Sequence, residues 1–206
     1  MRCCKGTLTR RANMFKAMID SNTYVSILET RHAEELFHLI DENRESIGKW
    51  LAFPAYTTEV HHTETFIKKS LNRFASSNGF WAGIWYKGKL AGLIGYLYVD
   101  RGHKTEIGYW LGKDFEGYGL VTKACKLFIE HAFNHLQLNK VEINMTPNNL
   151  KSKAIPERLG FMEEGTIRNY ELLHGEYLDR IVFGLLKNEW KENLYVTKSQ
   201  WSLLPL

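Results

Sequence analysis

Residues 105–122 read TEIGYWLGKDFEGYGLVT, and the fold can be worked out from this stretch. Apolar, aromatic and β-branched residues dominate its first seven positions, which predicts a strand over Thr105–Leu111. Leu120 then begins an apolar spacing of three and four residues, which is typical of a long amphipathic helix. Between these elements, Gly117 and Gly119 predict a tight turn from the strand into the helix.

The glycine turn is the most informative feature of the sequence. A helix N-terminus presents unpaired N–H groups and a partial positive charge, and Gly117 and Gly119 would let phosphate oxygens approach the backbone. The turn therefore indicates an anion site, with a purely structural turn as the alternative. A dinucleotide site is a second alternative, because Gly117 and Gly119 match two of the three glycines of the Rossmann fingerprint, with Thr122 at the third position, and Glu142 follows about 20 residues later. Against it, the third glycine is absent and the preceding strands form a hairpin.

Helices and strands are predicted on both sides of this stretch. Before it lie a strand at Tyr24–Leu28, a helix beginning at Thr30, a helix over 60–74, and a hairpin of Phe80–Tyr86 and Leu90–Val99. After the long helix lie a strand at Val141–Met145, a helix between Asn149 and Gly160, and strands at Phe161–Tyr170 and Arg180–Leu186. This order predicts an α+β (mixed α/β) fold with one central βαβ crossover.

Composition and charge exclude several classes of protein. The chain has 206 residues, of which 44% are hydrophobic and 24% charged, as in ordinary globular proteins. No apolar run approaches 18 residues, so we expect no membrane partner. Lys and Arg number 27 against 23 Asp and Glu, but four of the basic residues lie within residues 1–13. The rest is neutral, which argues against a nucleic-acid partner. Cys125 is the single thiol outside that tail, which fits a reducing, cytoplasmic location.

Three segments are expected along the chain. Residues 1–13 form an extra N-terminal tail, either disordered or an extension from cloning or gene prediction, since the patterned sequence starts soon after Met14. Residues 14–190 form a single domain, within the usual size of about 100–200 residues. Residues 191–206 show no clear period and form a C-terminal tail.

Three blocks in order resemble one known family. They are residues 106–111 (EIGYWL), 116–122 (EGYGLVT), and 149–152 (NLKS) followed by 155–161 (IPERLGF) and 164–165 (EG). Over residues 24–190 the chain resembles the Gcn5-related N-acetyltransferases (GNAT), of the RimJ/RimL type that acetylates N-terminal amines of ribosomal proteins. The resemblance implies the GNAT acyl-CoA N-acyltransferase fold. Its central sheet is mixed and mostly antiparallel, splays into a V-shaped cleft, and is flanked by helices.

The same resemblance implies how acetyl-CoA would be held. The backbone of the central strand would pair with the pantetheine arm, the glycine-loop amides would hold the pyrophosphate, and Asn149 would hydrogen-bond the pantetheine region from across the cleft. The implied cofactor-binding residues are Trp110, Leu111, Gly117, Tyr118, Gly119, Leu120, Val121, Thr122 and Asn149. Two positions depart from the family pattern: Glu116, where Gln or Arg is frequent, and Val121, where Gly or Ala is frequent. Since Glu116 puts an acid near phosphate, we expect its side chain to point away.

Acetyl transfer to an amine requires a base for the ammonium proton and a proton for the leaving thiolate. Glu106 on the central strand is the first candidate for the base, and Glu171 is the second. By the resemblance, Ser152 lies near the sulfur and would donate to the thiolate; a tyrosine often has this role, but the helix that follows Asn149 contains none. The alternative interpretations are that Glu106 is a solvated strand residue and that Ser152 only caps its helix.

Aromatic side chains are candidates for the acceptor pocket. Trp50 and Phe53 lie between the two early helices, and Tyr177 lies in a family-like turn, so these three are expected to contact the acceptor. No metal site is expected, because His131 and His135 have helical spacing but no third ligand accompanies them.

The sequence therefore predicts an acetyl-CoA-dependent N-acetyltransferase that works in a ternary complex without a covalent enzyme intermediate. By the resemblance, the acceptor is the N-terminal amine of a protein or peptide, and a homodimer is among the expected states. Two alternatives remain open. One is acetylation of a small amine such as a polyamine, amino acid or antibiotic, and the other is a non-catalytic domain that binds or senses CoA.

Overall fold

The computed structural model describes residues 16–190, and the tails predicted at 1–13 and 191–206 lie outside the described residues. The strands are β1 (Lys16–Met18), β2 (Thr23–Ile27), β3 (Phe80–Tyr86), β4 (Lys89–Asp100), β5 (Lys104–Leu111), β6 (Lys140–Met145), β7 (Met162–Leu173) and β8 (Glu176–Leu186). The α-helices are α1 (Ala33–Glu42), α2 (Arg44–Gly48), α3 (Val60–Ala75), α4 (Leu120–Asn134) and α5 (Leu150–Leu159). No helix in this part of the chain is both long and apolar enough to span a lipid bilayer.

Within residues 16–190, the strands form one sheet in the order β1-β2-β3-β4-β5-β6-β8-β7. Neighbouring strands are antiparallel except for β5 and β6, which run parallel because α4 connects them as a crossover. The predicted α+β fold with a mostly antiparallel sheet is therefore confirmed. The β3–β4 hairpin turns at Lys87 and Gly88, whose φ angles of 50° and 80° fit a two-residue hairpin turn.

Helices cover both faces of the sheet. Helix α4 packs on one face, in an apolar cluster that contains the buried side chains of Tyr96 and Phe128. Helices α1 and α3 pack on the other face, in a cluster that contains Trp85 and Leu93. Because the central strands are covered on both sides, they read as nearly continuous apolar runs.

Alternation along β5 divides its side chains between these two faces. Ile107 and Tyr109 belong with the α4 cluster, whereas Trp110 belongs with the α1 and α3 cluster. Glu106 stands an even number of positions from Trp110 and shares its face. The central carboxylate therefore lies on the face opposite α4.

Strands β5 and β6 separate after three residue pairs. The parallel ladder covers residues 104–106 of β5 and residues 140–142 of β6. Beyond it, β5 continues to Leu111 along β4, and β6 continues to Met145 along β8. The two strands thus open into the predicted V-shaped cleft, with Glu106 at the vertex.

A network of charged side chains holds the vertex together. The Glu142 carboxylate accepts hydrogen bonds from Lys104 Nζ and Tyr98 Oη, both at 3.0 Å, and Lys140 Nζ lies 3.0 Å away. Burial acts to raise the pKa of Glu142, but hydrogen bonds from Lys140, Lys104 and Tyr98 outweigh it and the pKa is lowered. The carboxylate stays charged and ties β4, β5 and β6 together below the cleft.

Some elements differ from the sequence prediction. Strand β1, of three residues, was not predicted. Helix α2, of five residues, ends at Gly48, where only a break was expected. Segments this short span too few residues to show a period. Strand β7 continues to Leu173, past the predicted end at Tyr170, which places Glu171 inside a hairpin arm.

Candidate active site

The glycine loop leads into α4 as predicted. Gly117 and Gly119 have φ angles of 84° and 70°, a left-handed conformation that favours glycine. A Cβ atom at either position would meet no described atom within 4 Å, so the space beside the loop is open. Gly119 is the N-cap of α4, and the amides of residues 120–122 have no acceptor within the helix. These amides can bind an anion.

Side chains hold the loop against the rest of the fold. Leu120 and Val121 are buried in the α4 cluster, so Val121 serves packing at a position where it departs from the family pattern. Thr122 Oγ1 accepts a hydrogen bond from Arg158 Nη1 on α5 at 3.0 Å. The Tyr118 ring is exposed and lies beside the Tyr86 ring, with centroids 5.0 Å apart.

The Glu116 carboxylate forms an ion pair with Lys151 Nζ. Lys151 lies in the first turn of α5, whereas Glu116 precedes the glycine loop, so the pair joins the two walls of the cleft. The lysine compensates the charge of Glu116, which removes the expected conflict with a nearby phosphate.

The cleft walls carry the other predicted cofactor residues. Trp110 and Leu111 pair with β4 on one backbone edge, and their other edge faces the cleft. The Trp110 ring packs against Phe53, with centroids 5.8 Å apart. On the opposite wall, Asn149 is the N-cap of α5, and its Oδ1 accepts a hydrogen bond from Ser152 N at 3.1 Å. Asn149 rather than Ser152 therefore caps this helix.

A pair of hydroxyl groups joins the two walls of the cleft. Ser152 Oγ donates to Tyr109 Oη at 3.2 Å, and Tyr109 Oη donates to the Ser152 carbonyl oxygen at 3.1 Å. Burial raises the pKa of Tyr109 well above its ordinary value, so the phenol keeps its proton. Tyr109 was not among the predicted site residues, because a tyrosine was expected only on the helix of Ser152. The available signal was the alternation along β5, which directs Tyr109 toward the α4 side.

Glu106 lies at the vertex with 7% of its surface exposed, so it is not the solvated strand residue of the alternative interpretation. Its Oε1 lies 3.8 Å from Arg180 Nη1 on β8. Burial raises the pKa of the Glu106 carboxyl, and Arg180 and a hydrogen bond from Asn144 offset only part of that rise. A carboxylate with a raised pKa suits a group that accepts a proton near neutral pH.

Glu171, the second candidate base, lies farther from the vertex. It is half-buried and stands opposite Leu178 in the β7–β8 pairing. Directly opposed residues share a face of the sheet, and Leu178 shares its face with Arg180. Both candidate carboxylates therefore face the same side of the sheet, at different depths.

A cavity of about 380 Å³ lies beyond the end of β6. Its lining residues are Trp50, Thr146, Pro147, Asn148, Tyr177, Leu178 and Asp179. His174 Nε2 and the Gly48 carbonyl oxygen lie 2.7 Å apart, which ties the β7–β8 hairpin to α2. The structure thus brings Trp50 and Tyr177 together, while Phe53 is not among the lining residues of this cavity.

Strand order decides against the dinucleotide interpretation of the glycine loop. A Rossmann domain is built from consecutive parallel strands, whereas β3, β4 and β5 are antiparallel neighbours. Within residues 16–190, no three His, Cys, Asp or Glu side chains group as metal ligands.

A family model described as the acetyltransferase (GNAT) domain matches residues 25–162. The chain belongs to the GNAT acetyltransferase family. It is therefore an acetyltransferase, and acetyl-CoA is its co-substrate. Within residues 16–190 no strand pairs with the cleft edges of β5 and β6. These edges, the open glycine loop and the first-turn amides of α4 fit this ligand.

Three related proteins illustrate the similarity to GNAT enzymes. The chain is 39% identical over 180 residues to the Bacillus subtilis (strain 168) protein named "Putative ribosomal N-acetyltransferase YdaF". This alignment covers 86% of the chain and 98% of the relative. It is 26% identical over 149 residues to the ribosomal-protein-serine acetyltransferase of Escherichia coli (strain K12), in an alignment that covers 72% of this chain and 83% of the relative. Among solved structures, the microcin C7 self-immunity acetyltransferase MccE in complex with acetyl-CoA and AMP is 29% identical, with a TM-score of 0.78. The superposition covers 82% of this chain and 94% of the MccE chain.

Proposed function

We propose that this GNAT enzyme acetylates the N-terminal amine of a protein or peptide, and that a ribosomal protein is its natural acceptor. The observation that carries the proposal is the buried carboxylate of Glu106 at the vertex of the cleft, where an amine needs a base. The names of the Bacillus subtilis and Escherichia coli relatives both refer to ribosomal acceptors, which supports the choice of acceptor.

The first proton transfer is assigned to Glu106. An ammonium group cannot attack a thioester, so its proton must leave before the carbon–nitrogen bond forms. Glu106 accepts this proton, directly or through one water molecule. Glu171, on the same face and farther out, adds negative charge that attracts a cationic acceptor.

The second proton transfer is assigned to Ser152 and Tyr109. Acetyl-CoA supplies the thioester, and the sulfur that leaves needs a proton or a hydrogen-bond donor. Ser152 Oγ turns its proton toward the sulfur, and Tyr109 Oη turns its own proton to Ser152 Oγ. Their separation of 3.2 Å allows this exchange of donor and acceptor roles without movement of the backbone.

Binding of acetyl-CoA is assigned to the residues that line the cleft. The amides from Gly117 to Thr122 hold the pyrophosphate, and the cleft-facing backbone of Trp110 and Leu111 pairs with the pantetheine arm. Asn149 uses only Oδ1 in its helix cap, so its side-chain NH₂ is assigned to the pantetheine.

The cavity between Trp50 and Tyr177 is assigned to the acceptor. It is open beyond the end of β6 and lined by aromatic side chains at two positions, as expected of a site that holds the first residues of a peptide. Phe53 is not among the residues that line this cavity. Its ring packs against the Trp110 ring and so supports the cleft wall formed by β5.

Residues 14–190 are assigned as the catalytic domain of a cytoplasmic enzyme that forms a homodimer and has no nucleic-acid or membrane partner. Strand β7 supports the homodimer, because it is the last strand of the sheet and exposes Met162, Ile167 and Leu172. Exposed edge strands with apolar side chains favour pairing with another chain. The molar mass measured by light scattering tests this assignment.

Incubation of the purified protein with acetyl-CoA and dissociated ribosomal proteins tests the acceptor. We expect release of CoA together with acetylation of a specific protein N-terminus, read by tandem mass spectrometry. Spermidine and free amino acids serve as competing acceptors. Acetylation of spermidine alone would establish the small-amine alternative, and binding of acetyl-CoA without CoA release in any mixture would establish the sensing alternative.

A further inference from the structure

Arg180 lies on β8 in an environment that leaves its guanidinium group without a hydrogen-bond acceptor among residues 16–190. Its side chain is only 18% exposed, and its Nε is buried without a partner in the described part of the chain. The guanidinium stacks on the Tyr170 ring, 4.2 Å from the ring centroid. Arg180 is thus fixed in place while its N–H donors are unused.

The buried Nε–H group without an acceptor among residues 16–190 is costly unless a ligand supplies one. Buried donors without acceptors destabilise a fold, and buried arginine side chains are normally paired and hydrogen-bonded. Glu106 does not fill this role, because a separation of 3.8 Å between Oε1 and Nη1 is too long for a hydrogen bond. The N–H groups of Arg180 therefore have the capacity to bind an oxygen beside the base.

The surroundings of Arg180 connect the vertex to the acceptor cavity. Leu178 lines the cavity and shares a face of β8 with Arg180. Two further polar atoms near the end of β6, Asn144 Oδ1 and Thr146 Oγ1, are buried and without partners within residues 16–190. Thr146 itself lines the cavity. Polar atoms without partners in the described part of the chain therefore lie along the path from the cavity to the carboxylate of Glu106.

We propose that Arg180 binds the carbonyl oxygen of the first residue of the acceptor while Glu106 receives a proton from the amine of that same residue. In an α-amino carbonyl group the nitrogen and oxygen are about 3 Å apart, given standard backbone bond lengths. A carboxylate and a guanidinium separated by 3.8 Å match this pair of groups. The inference rests on the proposed function and assigns to Arg180 the recognition of the carbonyl that distinguishes a peptide N-terminus from other amines.

The same geometry disfavours polyamines. A polyamine offers no oxygen to the guanidinium, and its further ammonium groups repel the positive charge of Arg180. Acceptor choice is therefore determined by Arg180, whereas chemical reactivity is determined by Glu106.

Matched acceptors test this assignment. Alaninamide and butan-2-amine share a primary amine on a methyl-substituted carbon and a similar size, but only alaninamide has an oxygen that can accept a hydrogen bond. We compare kcat/KM for both acceptors in the wild type, R180Q and R168Q, where Arg168 is an exposed arginine on the adjacent strand. Taking the ratio of the two acceptors within each enzyme, and comparing ratios between enzymes, cancels the different basicities of the amines.

R180Q should lower kcat/KM for alaninamide about 10- to 100-fold, the usual loss for a hydrogen bond from a charged group. The rate with butan-2-amine should change far less, and R168Q should behave like the wild type. Circular dichroism and acetyl-CoA affinity confirm that each variant folds. Equal losses for both acceptors would overturn the inference, since Arg180 would then act only through Glu106 or the fold.

Failure of the proposed function gives a different result. If the wild type acetylates spermidine but neither alaninamide nor butan-2-amine, the proposed function and the inference both fall. If no amine is acetylated, the proposed function falls, and NMR titration of alaninamide into the CoA complexes of wild type and R180Q decides the inference. Equal affinities would overturn it, and weaker binding to R180Q would support it.

Discussion

Glu106 and Arg180 lie 3.8 Å apart at the vertex of the cleft, although β6 stands between their strands in the sheet. This distance gives strong electrostatic attraction without a hydrogen bond. Arg180 therefore limits the rise in the pKa of Glu106 that burial causes. It does so without occupying the carboxylate oxygen that would accept a proton from the substrate.

Glu106→Gln removes the base and preserves the size of the side chain. We expect turnover to fall about 10²- to 10⁴-fold, the usual contribution of a general base, while acetyl-CoA affinity is unchanged. The pKa of Glu106 is raised, so wild-type kcat/KM should fall as the pH drops through a value above the ordinary glutamate range. That acid limb should be absent in the variant. Steady-state kinetics across pH and calorimetric titration of acetyl-CoA measure both effects.

Glu171→Gln is the matched control for the choice of base. It changes the other candidate carboxylate on the same face, so the acid limb should remain and turnover should change little. Loss of the limb in Glu171→Gln with its retention in Glu106→Gln would instead assign the base to Glu171.

Ser152→Ala should lower kcat about 10- to 100-fold at unchanged acetyl-CoA affinity, because the leaving thiolate loses its donor. Ser152→Thr keeps a hydroxyl and should recover part of the rate. Tyr109→Phe should give a smaller loss, since Ser152 keeps its own proton but loses its partner at 3.2 Å. Full activity in Ser152→Ala would remove this residue from proton delivery.

Gly119→Asp should weaken acetyl-CoA binding about 100-fold or more, because a carboxylate would stand where the pyrophosphate approaches. Gly88→Asp is the matched control: its φ of 80° is also left-handed, its Cβ would also meet open space, and it lies in the β3–β4 turn. Both variants should lose about 1 kcal/mol or more of stability from backbone strain. Calorimetry should show weakened binding in Gly119→Asp alone, and equal affinities would contradict the assignment of the loop.

His131 should make the fold sensitive to acid. Burial, with a smaller effect from His135, lowers the pKa of His131 from its ordinary 6.5 to about 4. Below pH 6.5 the unfolded chain therefore binds a proton that the folded chain excludes, so stability falls as the pH drops from about 6.5 toward 4. The full effect is about 3 kcal/mol.

Urea unfolding at pH 7.5 and pH 4 measures this loss in wild type, His131→Gln and His103→Gln. His131→Gln should lose less stability between the two pH values than the wild type. His103 is an exposed histidine in the β4–β5 turn, and its variant should keep the wild-type difference. An unchanged difference in His131→Gln would show that other groups cause the acid sensitivity.

Local patterns explain why much of the fold was predictable. Alternation along β5, the glycines of the loop and the helical spacing of α4 each lie within a short window of sequence. Asn149 and Gly160 mark the ends of α5 as its N-cap and C-cap, and both ends were predicted. The resemblance added the V-shaped cleft, which local patterns do not show.

Contacts between residues distant in sequence explain why some site residues could not be predicted. Tyr109 and Ser152 are 43 positions apart, and only the packing of α5 beside β5 brings their hydroxyls together. Arg180 was predicted only as the start of a strand, because its approach to Glu106 depends on the order in which β6 and β8 join the sheet. The periodicity of residues within one strand or helix does not specify the order of the strands in the sheet.

The ladder between β5 and β6 has three residue pairs, so a ligand that pairs with the cleft edge of β5 would add to the contacts between the two parts of the sheet. Within residues 16–190, strand pairing joins β1–β5 to the group β6, β8 and β7 at residues 104–106 and 140–142 alone. A pantetheine arm that pairs along residues 107–111 would act as a missing strand and bind the two groups into one cooperative unit. Hydrogen exchange at residues 107–111 and 143–145 should therefore slow far more on acetyl-CoA binding than exchange in the β3–β4 hairpin. Occupancy of the cleft would then control how often the two parts of the sheet open locally.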